Sequence, residues 1–213
     1  MTEPIRLAVL ISGGGTTLQN LIDRIAAGEL DAKIEVVISS SPKAYGLERA
    51  KRAGIPTRVV RTKDYPMLSE FADVNWNIIR KHKTDLVCFG GYLKLLPIPE
   101  DYPWKVMNIH PALIPAFCGE GFYGHTVHQA VIDYGCKVSG CTVHFVDNVY
   151  DNGPIILQRT TPVLEDDDAD TLAARVFEQE CIAYPEAIRL FAAGRLRVEG
   201  RKVRVLPAER PKV

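Results

Sequence analysis

A chain of 213 residues is long enough for one sizeable hydrophobic core and too short for two large ones. Lysine plus arginine and aspartate plus glutamate both total 26, so no overall field favours nucleic acid or an anionic membrane, and any anion site must be local. The opening residues reach a short apolar run that meets Ser12-Gly13-Gly14-Gly15 almost at once, a pattern that fits neither a signal peptide nor a spanning helix. Five cysteines, at 88, 118, 136, 141 and 181, contain no Cys-x-x-Cys pair, which points to buried free thiols and a reducing, cytoplasmic setting.

Ile5 to Ile11 is a continuous apolar run of the kind buried on both faces of a parallel sheet, and the glycine turn ends it. Leu18, Leu21, Ile22 and Ile25 then recur at helical spacing, with Gly28 as the stop. The alternation continues with a strand at 34–39, a helix at 45–53 stopped by Gly54, a strand at 57–61, a helix at about 68–82 and a strand at 86–89. Strands follow at 106–109, 138–146 and 155–161, with a short helix at 124–134 before the second of them. The acids at 165–168 favour a helix start, so the spacing predicts a helix over 171–183, and Pro185 is placed to open a second one to about Ala193. A hairpin of 196–198 and 203–206 closes the chain. This pattern is an α/β fold: a Rossmann-like, doubly wound, mostly parallel sheet with helices on both faces, then a short helix pair and hairpin. It reads as one domain, 1–213, with a phosphate-binding half at 1–105 and a catalytic half at 106–213.

Ligands of such sheets sit beyond the carboxyl ends of the strands, where Gly13 to Gly15, Gly90-Gly91 and Asn108 to His110 all fall. Gly13-Gly14-Gly15-Thr16-Thr17 puts flexible backbone and two hydroxyls at a helix N-terminus, suited to one phosphate. Leu18 stands where a dinucleotide fingerprint needs glycine, and the P-loop Gly-Lys-Ser/Thr is missing, so the alternatives are a small phosphorylated substrate or a merely structural turn. Asn108 and His110, two apart on one strand face, can donate to an oxygen that gains charge during acyl transfer. Asp151 reads either as a turn residue of Asp-Asn-Gly or as a partner that raises the His110 pKa and handles protons. His125-x-x-His128 with Cys118 upstream lacks an accompanying acid or paired cysteines, so no metal is expected.

Gly140 to Gly153, a Gly-x-Thr-Val-His-Phe-Val run followed by Asp-x-Gly-Pro, resembles the signature of enzymes that use 10-formyltetrahydrofolate. Asn108-x-His110-Pro111 resembles their catalytic motif, and with Leu10 to Gly15 the likeness narrows to the phosphoribosylglycinamide formyltransferase family. The resemblance implies formyl transfer from 10-formyltetrahydrofolate, as co-substrate and without a metal, to the amine of glycinamide ribonucleotide in purine synthesis. It implies small-molecule partners only, neither nucleic acid nor membrane, and a monomer or homodimer. By the same resemblance Gly15, Thr16 and Thr17 hold the substrate phosphate and Glu180 touches the ribose. Tyr92, Leu93, Lys94, Leu95, Leu96 and the loop from Val146 and Asp147 to Asp151 bind the folate. Asn108 and His110 stabilise the oxyanion, and Asp151 holds His110 protonated. The chain departs from the pattern at Met67-Leu68-Ser69, where relatives commonly carry arginine, at Phe177, which replaces a polar residue, and in a lengthened loop, Cys118 to Tyr123, expected to act as a lid. The rivals are a formyltetrahydrofolate hydrolase, a formyltransferase with another amine acceptor, and a non-catalytic phosphate-ligand binding protein.

Overall fold

The computed structural model describes residues 3–208, so the outermost positions of the expected domain lie outside it. Nine strands form one sheet: β1 (Ile5–Ile11), β2 (Ala32–Ser39), β3 (Thr57–Val59), β4 (Leu86–Phe89), β5 (Val106–His110), β6 (Val138–Phe145), β7 (Ile155–Pro162), β8 (Leu196–Glu199) and β9 (Lys202–Val205). The helices are α1 (Thr16–Ala26), α2 (Gly46–Arg52), α3 (Leu68–Lys81), α4 (His125–Asp133) and α5 (Ala169–Ala192). The sheet order is β3-β2-β1-β4-β5-β6-β7-β9-β8. From β3 to β5 neighbouring strands are parallel, and β6 and β7 then follow antiparallel. The expected hairpin joins this sheet through one parallel pairing of Ile155 in β7 with Lys202 in β9.

Side chains alternate across a strand, so β1 feeds both layers. Leu7, Val9 and Ile11 face the core under α1 and α5, while Ala8 and Leu10 face the core under α3, where Phe71, Trp76 and Ile79 pack. That double burial is why the strand is apolar from Leu7 to Ile11.

Two expectations change. The strand predicted over 57–61 stops at Val59, because Thr62–Asp64 winds into a short 3-10 turn held by an Arg61–Asp64 ion pair. The predicted helix pair is a single helix, α5, with Pro185 inside it. Proline ordinarily breaks a helix because it removes one N–H and strands the carbonyl four residues earlier. Here that carbonyl is Cys181 O, and the Asn20 side-chain amide from α1 donates to it at 3.2 Å. The expected acidic start takes the form of an Asp168 cap: the Thr171 N–H donates to its carboxylate at 2.8 Å, and the Thr171 hydroxyl accepts from the Asp168 N–H at 3.0 Å.

Candidate active site

Strand order reverses between β1 and β4, and a crevice opens at their carboxyl ends. The glycine loop and the Gly90-Gly91 loop are tied together there: the Ser12 N–H donates to Gly91 O at 3.0 Å, and the Leu93 N–H donates to Ser12 Oγ at 2.9 Å. Gly15 caps α1 with φ of 70°, and a Cβ at that position would stand 2.6 Å from Gly46 Cα. Only glycine suits both demands.

β5 delivers Asn108 and His110 to this crevice on one face, and β6 runs beside it with His144 opposite Asn108 and Thr142 opposite His110. The Thr142 hydroxyl donates to Ala112 O at 2.7 Å and accepts from the Ile114 N–H at 3.1 Å, which fixes the chain leaving Pro111. Asp151 arrives from the loop between β6 and β7 with φ of 50°. Gly153 lets that loop lie flat on β6, since a Cβ there would meet Phe145 O at 1.8 Å.

These elements bring the expected trio together. Asp151 Oδ2 lies 3.4 Å from His110 Nδ1, and the Asn108 amide donates to Asp151 Oδ1 at 3.3 Å. The second Asn108 hydrogen points to His144 Nε2 at 3.1 Å. His144 Nδ1 donates to Phe145 O at 2.8 Å, which fixes the ring beside the Asn108 amide. The lengthened loop and the residue before it complete the arrangement: His110 Nε2 donates to Phe117 O at 2.8 Å, and the Gly119 N–H donates to Asp151 Oδ2 at 3.0 Å.

Burial pushes the Asp151 carboxyl up, but the rings of His144 and His110 and the Gly119 N–H overcome it and hold the group below the usual carboxylate value. Burial dominates at His110 in the opposite sense, lowering its pKa despite the Asp151 charge. The expectation that Asp151 keeps His110 protonated is therefore corrected. With only 4% of its side chain exposed, the ring loses more by desolvation than the carboxylate returns.

Two spaces flank the trio. A cavity of about 450 Å³ is lined by Leu93, Lys94, Asn108, His110 and Asp151 and roofed by Gly119 to Gly124. A narrow slot beside it takes in Tyr92, Leu95, Leu96, Val146 and Asp147. The Asp147 carboxylate is occupied by the Val149 N–H and the Asn152 amide, so it shapes the loop as well as lining the slot. Across the ridge of Gly91, Ile109 and Pro111 lies a second cavity of about 420 Å³, lined by Thr16, Thr17, His125, His128, Phe177 and Glu180. Burial pushes the Glu180 carboxyl up to about 7. Gly13 and Gly14 do not line it; their carbonyls accept from the Gly46 N–H and Arg49 Nε and shape the turn.

The family model for formyl transferase matches residues 5–188. The chain belongs to the formyl transferase family. The matched span covers every site residue named above. Among relatives, phosphoribosylglycinamide formyltransferase of Haemophilus influenzae is 39% identical over 196 residues, 91% of this chain and 90% of that protein. The human trifunctional purine biosynthetic protein adenosine-3 is 41% identical over 191 residues, 89% of this chain, although the chain spans only 18% of its length. The fold of glycinamide ribonucleotide transformylase 1 from Symbiobacterium toebii superposes with a TM-score of 0.90 at 44% identity, covering 97% of this formyl transferase and 96% of that one.

Sequence reasoning missed His144, Phe117 and Gly119, and weighed His128 only as a metal ligand. For His144 a signal existed: it falls two residues from Thr142 on the strand that carries the signature. The loop contacts had none, because backbone atoms make them.

Proposed function

We propose that this protein transfers the formyl group of 10-formyltetrahydrofolate to the amine of glycinamide ribonucleotide, a step of purine synthesis in the cytoplasm. The observation that supports this most is the position of Asn108, His110 and Asp151 in a cavity suited to a flat donor, with a second cavity suited to a phosphorylated acceptor across the ridge of Gly91, Ile109 and Pro111. The donor's ring system enters the slot at Tyr92 to Leu96 and Val146, with Lys94 toward its carboxylate end. The acceptor's phosphate sits at the uncapped N-terminus of α1 with Thr16 and Thr17, and Glu180 meets the ribose.

The acceptor nitrogen adds to the formyl carbon and the carbonyl oxygen becomes an oxyanion. The neutral His110 Nε2–H donates to it once Phe117 O gives way, and Asn108 supplies the second donor once its amide turns one hydrogen away from Asp151 Oδ1. Ionised Asp151 takes the proton that the acceptor nitrogen loses, and the same proton passes to N10 of the folate as the C–N10 bond breaks. Atoms and charge balance without a further reactant.

The test mixes protein with 10-formyltetrahydrofolate, with and without glycinamide ribonucleotide, and follows tetrahydrofolate release. Release only with the ribonucleotide is expected; release without it would favour the hydrolase, and no release would remove the reading.

The pKa shifts also set a pH profile. Asp151 must be ionised, and its lowered pKa leaves it so down to below its usual value, near pH 3.9. His110 acts neutral, and its lowered pKa keeps it neutral above about 6.5. In a Glu180→Gln background, which removes a carboxyl of the acceptor site pushed up to about 7, kcat/KM between pH 6.5 and 8 is therefore expected to follow only deprotonation of the acceptor amine, with a pKa of about 8. A fall in kcat/KM across that range would mean that protonated His110 is the working form.

A further inference from the structure

The acceptor-side cavity poses a charge problem. No lysine or arginine lines it among the described residues; its ionisable side chains are His125, His128 and Glu180. Phe177, Ala173 and Ala174 make the α5 wall apolar. The N-terminus of α1, an 11-residue helix, has no side-chain cap to satisfy its first-turn N–H groups, and Thr16 and Thr17 at that end line the same space.

His128 is the second, independent pointer to a ligand. It is 4% exposed, and its Nδ1 is fully buried with no hydrogen-bond partner. The titratable groups around it are His125 on its own helix, His110 from β5, and from α5 Glu180 and Asp170, the last already 3.4 Å from His125 Nδ1. Burial, with His125 and His110 nearby, lowers the ring's pKa to about 4, so it is neutral at neutral pH. A neutral ring carries one proton. On Nδ1 it would be a buried donor with nothing to accept it, whereas on Nε2, the nitrogen left for the cavity side, it can meet a ligand.

We propose that His128 recognises the acceptor's phosphate, its Nε2–H donating to a phosphate oxygen seated at the N-terminus of α1. A phosphate dianion has only acceptors and needs donors from every side. First-turn amides and the Thr16 and Thr17 hydroxyls supply them from α1, and His128 supplies one from the opposite wall. Because the donor is neutral, the contact persists at alkaline pH, where a histidinium would be lost. The inference rests on the proposed function for the identity of the acceptor.

The experiment compares wild type, His128→Leu and His128→Gln with glycinamide ribonucleotide and with its phosphate-free riboside. A hydrogen bond to a charged acceptor is worth about 1.5–3 kcal/mol, so His128→Leu should lower the ribonucleotide-to-riboside ratio of kcat/KM by about 10- to 100-fold, through KM rather than kcat. His128→Gln, which keeps an N–H donor, should restore part of it. Removing a buried, unpartnered nitrogen should not lower thermal stability, and if His128→Leu fails to fold the Gln variant carries the same comparison at smaller amplitude. Calorimetric titration with ribose 5-phosphate reads the contact without turnover, and the Leu variant should bind it about 10-fold or more weakly. A ratio and an affinity unchanged in both variants, or no binding of ribose 5-phosphate by wild type, would overturn the inference. Wild type that binds ribose 5-phosphate through His128 but formylates neither acceptor would refute the proposed function and leave the phosphate contact standing.

Discussion

Asp151→Asn is expected to lower kcat by about 10²- to 10⁴-fold, the range for a positioned acid-base group, with KM for both substrates changed little. The carboxylate lies 3.4 Å from His110 and is held by donors from Asn108 and Gly119. An amide has the same shape but cannot take a proton at neutral pH. It can still accept from the Gly119 N–H, but its NH₂ would then face the Asn108 NH₂, donor against donor, unless one side chain turns. Near-normal binding with lost turnover, read by steady-state kinetics and by calorimetry with a folate analogue, separates loss of the proton acceptor from collapse of the pocket. A variant with wild-type kcat would remove Asp151 from the chemistry. The stability of the same variant carries a pH signature. Asp151 has a lowered folded-state pKa, so it contributes stability that is present above the unfolded value and lost as pH falls through the folded one. The stability gap between wild type and Asp151→Asn should therefore narrow below about pH 4.

What the sequence makes legible is whatever depends on local periodicity. The apolar run Leu7 to Ile11 of β1, the glycine turn and the helical spacing of Leu18, Leu21 and Ile25 are local, and so is the Asn108–His110 spacing; the structure places each accordingly. Pro185 shows the limit. Its rule as a helix breaker concerns the chain's own hydrogen bonds, and the rule is set aside by Asn20, more than 160 residues away, which satisfies the stranded carbonyl. His110 shows the same limit in electrostatics. The sequence supplies the carboxylate that raises its pKa, but the burial that outweighs it depends on how strands and loop enclose the ring. Phe117 O and the Gly119 N–H carry no residue-type signature at all, since any residue there offers the same backbone atoms.

That backbone contact makes the loop the second site of a large expected effect. Replacing 119–123 with two residues should lower kcat by about 10²-fold while shifting Tm by less than about 4 °C. In the structure this segment roofs the 450 Å³ cavity and caps Asp151, yet it contributes little to the core. Phe117, the half-buried residue that anchors the loop, lies outside the replaced stretch and keeps its edge contact with Tyr134 when Phe122 is lost. Stability should therefore survive. Turnover should not, because the closed loop keeps water from the Asp151 carboxylate, and the same loop must give up Phe117 O before His110 Nε2 can meet an oxyanion. An open site also admits water as a competing acceptor, so the shortened protein should release more tetrahydrofolate per formylated amine than wild type. The ratio of those two products, measured in one reaction, distinguishes a lid from a loop that merely fills space. An unchanged ratio with unchanged kcat would leave the segment without a role in the reaction.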